Sequence, residues 1–412
     1  MKAIILCGGS GKDMSPLSDL RPKTSLLLMG RPIFQYAIDG LSQAGVDEFV
    51  VVVGQNGEPI INYLQTIDSN LRFTVVKQKK DGVEGAILSA KNEIEDPTFI
   101  LAHGDIVAPA RFYQQLTRTF HGGADGSIAV TLKSSISDFG LISISDSGYV
   151  THVIEHPGQE RKDMGNYIGA GAYIFPKEFL NELEKSKNST FDNTINTILN
   201  QGHNIKASVF SEEDMWMDIG NPYDLLTATR IVFSEYSETR ISASSQISHN
   251  AHIDGPVVIE AGATIDHGAV IKGPVYIGKN VYVGTNCLIR DHTAIEEKCV
   301  IGFSVEMTRS HIQPLTTIGR LSFIGDSIIG RKAEIRSGVT IANELPSKNH
   351  IFDVRGSVFT KAGAVIGDEA SIGANVVLAS MTVVGTYDTI SPGIVYSNQP
   401  ERLKAKVKEK KF

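Results

Sequence analysis

Ile271-Lys272-Gly273-Pro274-Val275-Tyr276-Ile277-Gly278-Lys279-Asn280-Val281-Tyr282-Val283-Gly284-Thr285-Asn286-Cys287-Leu288-Ile289 sets an aliphatic side chain at every sixth position: Ile271, Ile277, Val283 and Ile289. The beat runs outward without a miss, back through Ile265, Ile259 and Ile253 to Ile247 and forward through Ile295 to Ile301. It resumes at Ile318 and Ile324, at Ile329, Ile335 and Ile341, and at Ile366, Ile372, Leu378, Val384 and Ile390. An α-helix repeats about every 3.6 residues and a strand about every 2, so neither sustains a six. A hexapeptide repeat does: three short strands and three turns make one coil, and the aliphatic residue of each repeat fills the axis. Gly278-Lys279-Asn280 and Gly284-Thr285-Asn286 supply residues that tolerate the left-handed backbone of such corners. The second half of the chain is therefore expected to be a β-helix.

The bulk properties exclude several function classes. With 412 residues, 42% hydrophobic and 21% charged, the chain has room for two or three domains of ordinary globular composition. A formal net charge of -7 argues against a general nucleic-acid binder. The three cysteines, Cys7, Cys287 and Cys299, form no C-x-x-C pair, so neither a disulfide framework nor a zinc site is indicated. No apolar run approaches the roughly 18 residues of a membrane span. Lys2 precedes an apolar stretch, but Gly8 and Gly9 end it too early for a signal peptide. A cytoplasmic address is expected.

Ahead of the repeats, short apolar runs alternate with helical patterns. Strands are expected at Ala3–Leu6, Phe49–Val53, Phe73–Val76 and Phe99–Ala102, and helices at Phe34–Ala44, Ile60–Thr66 and Val83–Asn92. This order predicts an α/β domain whose mostly parallel sheet is covered on both faces, with a ligand received outside the carboxyl ends of the strands. A helix over Leu225–Tyr236 would lead into the β-helix. The expected division is an α/β domain over 1–240, a β-helix over 241–395 interrupted by an insert near 344–362, and a basic tail over 396–412. Pro346 and the charged residues around it should make the insert loop out of the coil, and the Lys- and Arg-rich tail reads as helical.

The first strand runs into Cys7-Gly8-Gly9-Ser10-Gly11-Lys12. It is not a Walker loop, because Leu6 stands where the first glycine belongs and Asp13 where Ser or Thr must follow the lysine. Nor is it the dinucleotide fingerprint, because Met14 occupies the third glycine position. What remains is a glycine-rich strand-to-helix turn whose N–H groups can cradle phosphates.

The longer run Ile5–Leu17 with Arg21-Pro22-Lys23 resembles the opening signature of the sugar-1-phosphate nucleotidyltransferases. Further segments match that family in order. Gln78 with Gly82 is similar to its base-recognition segment, Gly104-Asp105 to its first metal aspartate, and Glu155-His156-Pro157 to its E-K-P sugar motif. Asn166 with Gly169-Ala170-Gly171-Ala172-Tyr173 resembles the sugar-pocket segment, and Trp216-Met217-Asp218-Ile219-Gly220-Asn221-Pro222 the run carrying the second metal aspartate. The resemblance spans essentially the whole chain, since many members carry a left-handed parallel β-helix after a Rossmann-like mixed-sheet domain.

The resemblance implies transfer of a nucleotidyl group from a nucleoside triphosphate to a sugar 1-phosphate. Lys23, Asp105 and Asp218 would be the catalytic residues, with Mg²⁺ on the two aspartates. Substrates would lie against Gly8, Gly9, Gly11, Lys12, Gln78, Gly82, Glu155, Asn166 and Gly171. A homo-oligomer built through the β-helix, trimer or dimer, is implied as well. Magnesium is a hard cation suited to carboxylate and phosphate oxygens. As no covalent intermediate is needed, positioning and charge neutralisation supply the rate.

The sequence departs from this pattern at defined places. Lys12-Asp13 stands where the family has Thr-Arg after the loop's last glycine. A carboxylate beside phosphates turns an attraction into a repulsion, each about 4 kcal/mol at 4 Å and an effective dielectric near 20 before screening. His156 replaces the lysine of E-K-P. In the β-helix, Gly319–Ser327 and Gly338–Asn343 resemble the acetyltransferase region of bifunctional members, with Asn343 at the family's asparagine. Arg320, however, stands where a histidine base is required, and a guanidinium does not deprotonate near neutral pH. Two alternatives to an active nucleotidyltransferase follow: a non-catalytic nucleotide-sugar-binding paralogue, and a bifunctional acetyltransferase.

Overall fold

The structure is a computed structural model that describes all residues except 10, 68–69, 133–139, 155–165, 186–189, 213–214, 345–349, 355–356, 401–405 and 410–412. The chain forms two compact units: Met1–Ser10, Arg21–Ser25 and Ile33–Asp218 in the first, and Gly11–Leu20, Leu26–Pro32 and Ile219–Phe412 in the second.

In the first unit, β1 (Ala3–Cys7) lies between β2 (Glu48–Val53) and β4 (Thr98–His103), and β3 (Arg72–Lys77) pairs with β2, all parallel. Alternation along β1, β2 and β4 divides the side chains between two covered faces, whereas the edge strand β3 is largely exposed. Ala3, Ile5 and Cys7 pack with Phe34, Ile38 and Leu41 of α1 (Ile33–Gln43), Ile60 of α2 (Glu58–Leu64) and Phe112 and Leu116 of α4 (Ala110–His121). Ile4, Val50, Val52 and Leu101 pack instead with Ile87 of α3 (Val83–Ser89), Phe179 of α5 (Glu178–Lys185) and Ile195 of α6 (Phe191–Asn200). Burial on both faces is why these strands read as continuous apolar runs.

Beyond β4 most pairings are antiparallel, so the sheet is mixed, as the family resemblance implied, rather than mostly parallel, as the strand–helix alternation suggested. The ten-residue β9 (Tyr167–Pro176) runs against β4 and also against β6 (Gly126–Leu132) and β7 (Leu141–Ile144). β7 pairs with β8 (Val150–Ile154), and β10 (Ile205–Phe210) lies parallel to β6. Outside this nine-stranded mixed sheet, β5 (Ile106–Val107) and β11 (Met217–Asp218) form a short antiparallel pair.

The second unit is the left-handed parallel β-helix, built of three eight-stranded parallel sheets. Register repeats every 18 residues, as in Val257↔Val275 and Val275↔Thr293, and the beat residues form one buried column from Ile259 to Ile390. The apparent gap between Ile301 and Ile318 is filled. Met307 and Ile312 are fully buried in the same column, and Ile295 pairs with Ile312 seventeen positions on. One corner has lost a residue there and again between Ile324 and Ile329, so the step is five rather than six and Ile328-Ile329 pairs with His311-Ile312. Corners are made by single left-handed residues, among them Asn280, Asn286 and Asn375, the type that tolerates positive φ through its short polar side chain.

One face of the coil is covered by α7 (Asp224–Ser234) and by the hairpin Leu27–Leu28/Arg31–Pro32. Polar side chains do the holding. Gln313 accepts from Leu27 N at 3.2 Å and donates to Leu27 O at 2.8 Å, while His311 Nε2 lies 3.0 Å from the same carbonyl. Glu296 accepts from Gly30 N at 2.8 Å, and Thr229 of α7 lies 3.2 Å from His311 Nδ1. Glu296, His311 and Gln313 are 0% exposed.

In the insert, strands His350–Val354 and Ser357–Phe359 lie outside the three stacks. The tail departs from expectation in its described part. Lys406–Glu409 is a strand, not a helix, paired antiparallel to His350–Val354. The insert offers an open strand edge, and backbone pairing there outweighs the helical propensity of lysine.

Candidate active site

β4 delivers His103, Gly104 and Asp105 at its carboxyl end, next to the carboxyl end of β1. Asp218, 113 positions later, is brought there by the short strand pair: β11 runs against β5 with Asp218 opposite Ile106. The two aspartates thus stand one register position apart. Lys23, in the 3-10 turn Lys23–Ser25, places Nζ 2.6 Å from Asp105 Oδ2, with the two side chains 18% and 16% exposed. Burial alone would raise the Asp105 carboxyl. The Lys23 ammonium, with His103 and the Lys23 hydrogen bond adding to it, more than offsets this and holds the group below its ordinary value. Burial pushes the His103 imidazole down; the Asp105 charge opposes that shift and Lys23 reinforces it.

A cavity of about 270 Å³ opens beside these groups, lined by His103, Ile106, Gly171, Tyr173, Trp216 and Asp218. Phe191 and Ile195 of α6, Ile142 and Val153 make the rest of its wall largely apolar, with Asp192 at the α6 end. Gly171 has φ +77, and a Cβ there would meet Ile106 Cγ1 at 2.8 Å, so only glycine lets β9 pass this close. Trp216 is anchored by Nε1 donating to Ala170 O at 3.0 Å.

On the other side of β1, Gly8 is covered by Gln78: a Cβ on Gly8 would lie 2.0 Å from Gln78 Oε1. Gln78 Nε2 donates to Lys80 O at 2.7 Å and to Gly82 O at 3.0 Å. These two acceptors fix the amide orientation and leave its oxygen toward the glycine turn. A Cβ added to Gly9 would meet no atom within 4 Å, so the backbone there stands open.

The remaining expected residues are more scattered. Gly11, left-handed at φ 61, and Lys12 with Asp13 in the 3-10 turn Lys12–Met14 group with the second unit, where Ser18 Oγ donates to Gly11 O at 2.6 Å. Asn166 is exposed just before β9. Glu155 and His156 lie outside the described residues. The helix that follows Asp218, α7, has no side-chain cap hydrogen bond; its first residue Asp224 instead accepts from Gly220 N and Asn221 N of the preceding turn at 2.9 and 2.7 Å. Asn343, at the acetyltransferase asparagine, is committed to structure, donating to Asp326 Oδ2 at 2.6 Å while Arg309 grips the same carboxylate through Nε and Nη2 at 2.7 and 2.9 Å. His103, Phe191, Asp192 and Ile195 were not anticipated. His103 had a signal, standing immediately before Gly104-Asp105, whereas the α6 residues carry no motif.

No cluster of three or more His, Cys, Asp or Glu that could hold a metal occurs among the described residues. A hard cation that completes its shell with phosphate oxygens and water needs only one or two carboxylates, so the Asp105–Asp218 pair fits it.

A glycine turn, two aspartates one register position apart and a lysine thus gather at the carboxyl end of a mixed α/β sheet. The nucleotidyl transferase family model matches residues 2–235, and a GMPPB C-terminal domain model matches residues 271–352. The chain belongs to the nucleotidyltransferase family. It is 31% identical over 395 residues to the bifunctional protein GlmU of Methanocaldococcus jannaschii, covering 94% of this chain and 92% of the relative. It is also 31% identical over 413 residues to a bifunctional sugar-1-phosphate nucleotidylyltransferase/acetyltransferase of Sulfurisphaera tokodaii, covering 96% and 97%. Among solved structures, a UDP-glucose pyrophosphorylase complexed with UDP-glucose superposes with TM-score 0.51 at 20% identity, over 57% of this chain and 98% of that one.

Proposed function

We propose that the protein is a catalytically competent sugar-1-phosphate nucleotidyltransferase that uses Mg²⁺ held by Asp105 and Asp218. The observation that carries this reading is the β5–β11 register, which sets Asp218 opposite Ile106, one position from Asp105, on the wall of a cavity large enough for a hexose. The phosphate oxygen of the sugar 1-phosphate attacks the α-phosphorus of the nucleoside triphosphate, and pyrophosphate leaves. Lys23 neutralises phosphate charge, exchanging its contact with Asp105 for one with substrate. The glycine turn at Gly8 and Gly9 offers backbone N–H groups to base and phosphates, and Gln78 and Gly82 border the base. Asn166 and Gly171 border the sugar. When bound, the cation draws off charge that builds on the phosphate oxygens.

The test is pyrophosphate release from a panel of nucleoside triphosphates and sugar 1-phosphates with Mg²⁺. Turnover lost in Asp105→Asn and Asp218→Asn is the expected result, and silence of the native protein across the panel overturns it. Lys12-Asp13 favours one second reading, a paralogue that binds nucleotide-sugar without turnover; calorimetric binding without pyrophosphate release would establish it. Acetyl transfer is not expected from a coil with Arg320 exposed and Asn343 bonded to Asp326, so no thiol should be released from acetyl-CoA.

Exposed apolar residues on adjacent coils support a homo-oligomer formed through the β-helix: Tyr282 beside Val300, and Phe303 beside Leu321. Three buried free cysteines agree with a reducing compartment, the cytoplasm. No helix among the described residues is long and apolar enough to cross a membrane.

A further inference from the structure

We propose that His249 and His267 bind a borderline divalent transition metal, such as Zn²⁺, that clips the first coil of the β-helix to the second. The pair draws on no residue of the catalytic reading above. Ile247 pairs with Ile265 in parallel register, so His249 and His267, each two positions on, stack at one corner of successive coils. Both residues are exposed, and their rings lie 5.9 Å apart, centroid to centroid, at 83°. Two imidazoles that ligate one ion at about 2.0–2.1 Å set their centroids about 5–6 Å apart, for bond angles between roughly 110° and 135°. The two rings therefore stand at chelating distance on a fixed backbone.

The corner orients one ligand and leaves the other free to adapt. Asp266 Oδ1 accepts from His267 N at 2.7 Å and lies 2.9 Å from His267 Nδ1. Asp266 Oδ2 accepts from Tyr282 OH and from Thr285 Oγ1, each at 2.9 Å. These contacts, the His267 ring first, hold the Asp266 carboxyl well below its ordinary value, so it is ionised and only accepts. A neutral His267 ring therefore carries its proton on Nδ1 and its lone pair on Nε2. A carboxylate behind an imidazole in this way fixes the tautomer and raises the basicity of the ligating nitrogen. His249 has a ring contact with His267 and no side-chain hydrogen bond among the described residues, so its ring can turn to meet the ion. No third His, Cys, Asp or Glu joins the pair among the described residues, so water completes the shell. Imidazole nitrogens suit Zn²⁺, Ni²⁺ and Cu²⁺, whereas Mg²⁺ and Ca²⁺ take oxygen ligands.

The place in the coil gives the clip its use. Each coil is held by its neighbours, and the first in each stack has one on a single side. Its axis residues are correspondingly loose: Ile241 is 46% exposed, and Ile247 and Ile253 are only partly buried. In the second coil Ile259, Ile265 and Ile271 are 2%, 1% and 0% exposed. A metal bound across the two coils favours the paired state over a frayed one.

The experiment titrates tag-free native protein, His249→Ala, His267→Ala and Asp266→Asn with Zn²⁺ by calorimetry. Each histidine variant should lose at least about tenfold in Zn²⁺ affinity, and Asp266→Asn about tenfold through the ring it orients. Cu²⁺, used as a probe, should show two imidazole nitrogens by electron paramagnetic resonance in the native protein and one in either histidine variant. Saturating Zn²⁺ should slow hydrogen exchange at the amides of residues 246–254, and the slowing should vanish in His249→Ala. His249 is exposed and bonded to nothing, so its alanine variant keeps the fold and decides the matter if Asp266→Asn disturbs the corner. Zn²⁺ affinity unchanged in both histidine variants, or an unchanged nitrogen count, overturns the proposal. Binding that survives both and disappears in Asp105→Asn places the ion on the aspartates and overturns it too. Binding without any slowing of exchange overturns the clip.

Discussion

At the scale of single residues, the Lys23–Asp105 pair concentrates both charge and consequence. Lys23→Ala should lower turnover about a hundredfold, since it removes a preorganised cation from the phosphates. It should also change the acid limb of stability. The Asp105 carboxyl is held below its ordinary value when folded, so its contribution is present above about pH 4, the unfolded value, and fades as pH falls through the lower folded value. The Tm gap between native protein and Lys23→Ala should therefore narrow below about pH 4 in a melting series. Asp13→Arg tests the altered loop, and pyrophosphate release should rise if Asp13 repels the triphosphate. The aspartates and Lys23 were legible because their motifs are contiguous in sequence. The apolar α6 wall was not, since Phe191 and Ile195 look like any buried helix residues until the fold sets them on a cavity.

At the scale of elements, the six-residue beat predicted the coil, and what it missed has a local cause. Met307 is not β-branched and Ile312 falls one position early, so a strict six-count stops at Ile301 although the column continues. The tail misled in the other direction. Its lysines suit a helix, but a strand edge supplied by a distant insert is not visible in local propensity. Axis and surface should separate cleanly under substitution. Ile295→Ala, at a fully buried axis position, should cost about 2–5 kcal/mol, whereas Val377→Ala, 37% exposed, should stay within about 0.5 kcal/mol. Urea denaturation of each variant measures the difference.

At the scale of the whole molecule, the homo-oligomer proposed above predicts that Leu321→Asp, at the 62% exposed corner beside Phe303, lowers the molar mass seen by light scattering. The hairpin held by Glu296, His311 and Gln313 has a different consequence, one of timing. Leu26 and Leu28 are 0% exposed, and the side chains that hold Leu27 lie 284 and 286 positions downstream. A ribosome adding roughly 5–20 residues per second emits the hairpin about a quarter-minute to a minute before its partners exist. Until then the hairpin on the nascent chain lacks the side chains that grip it, and a gene cut at residue 235 would lack them for good.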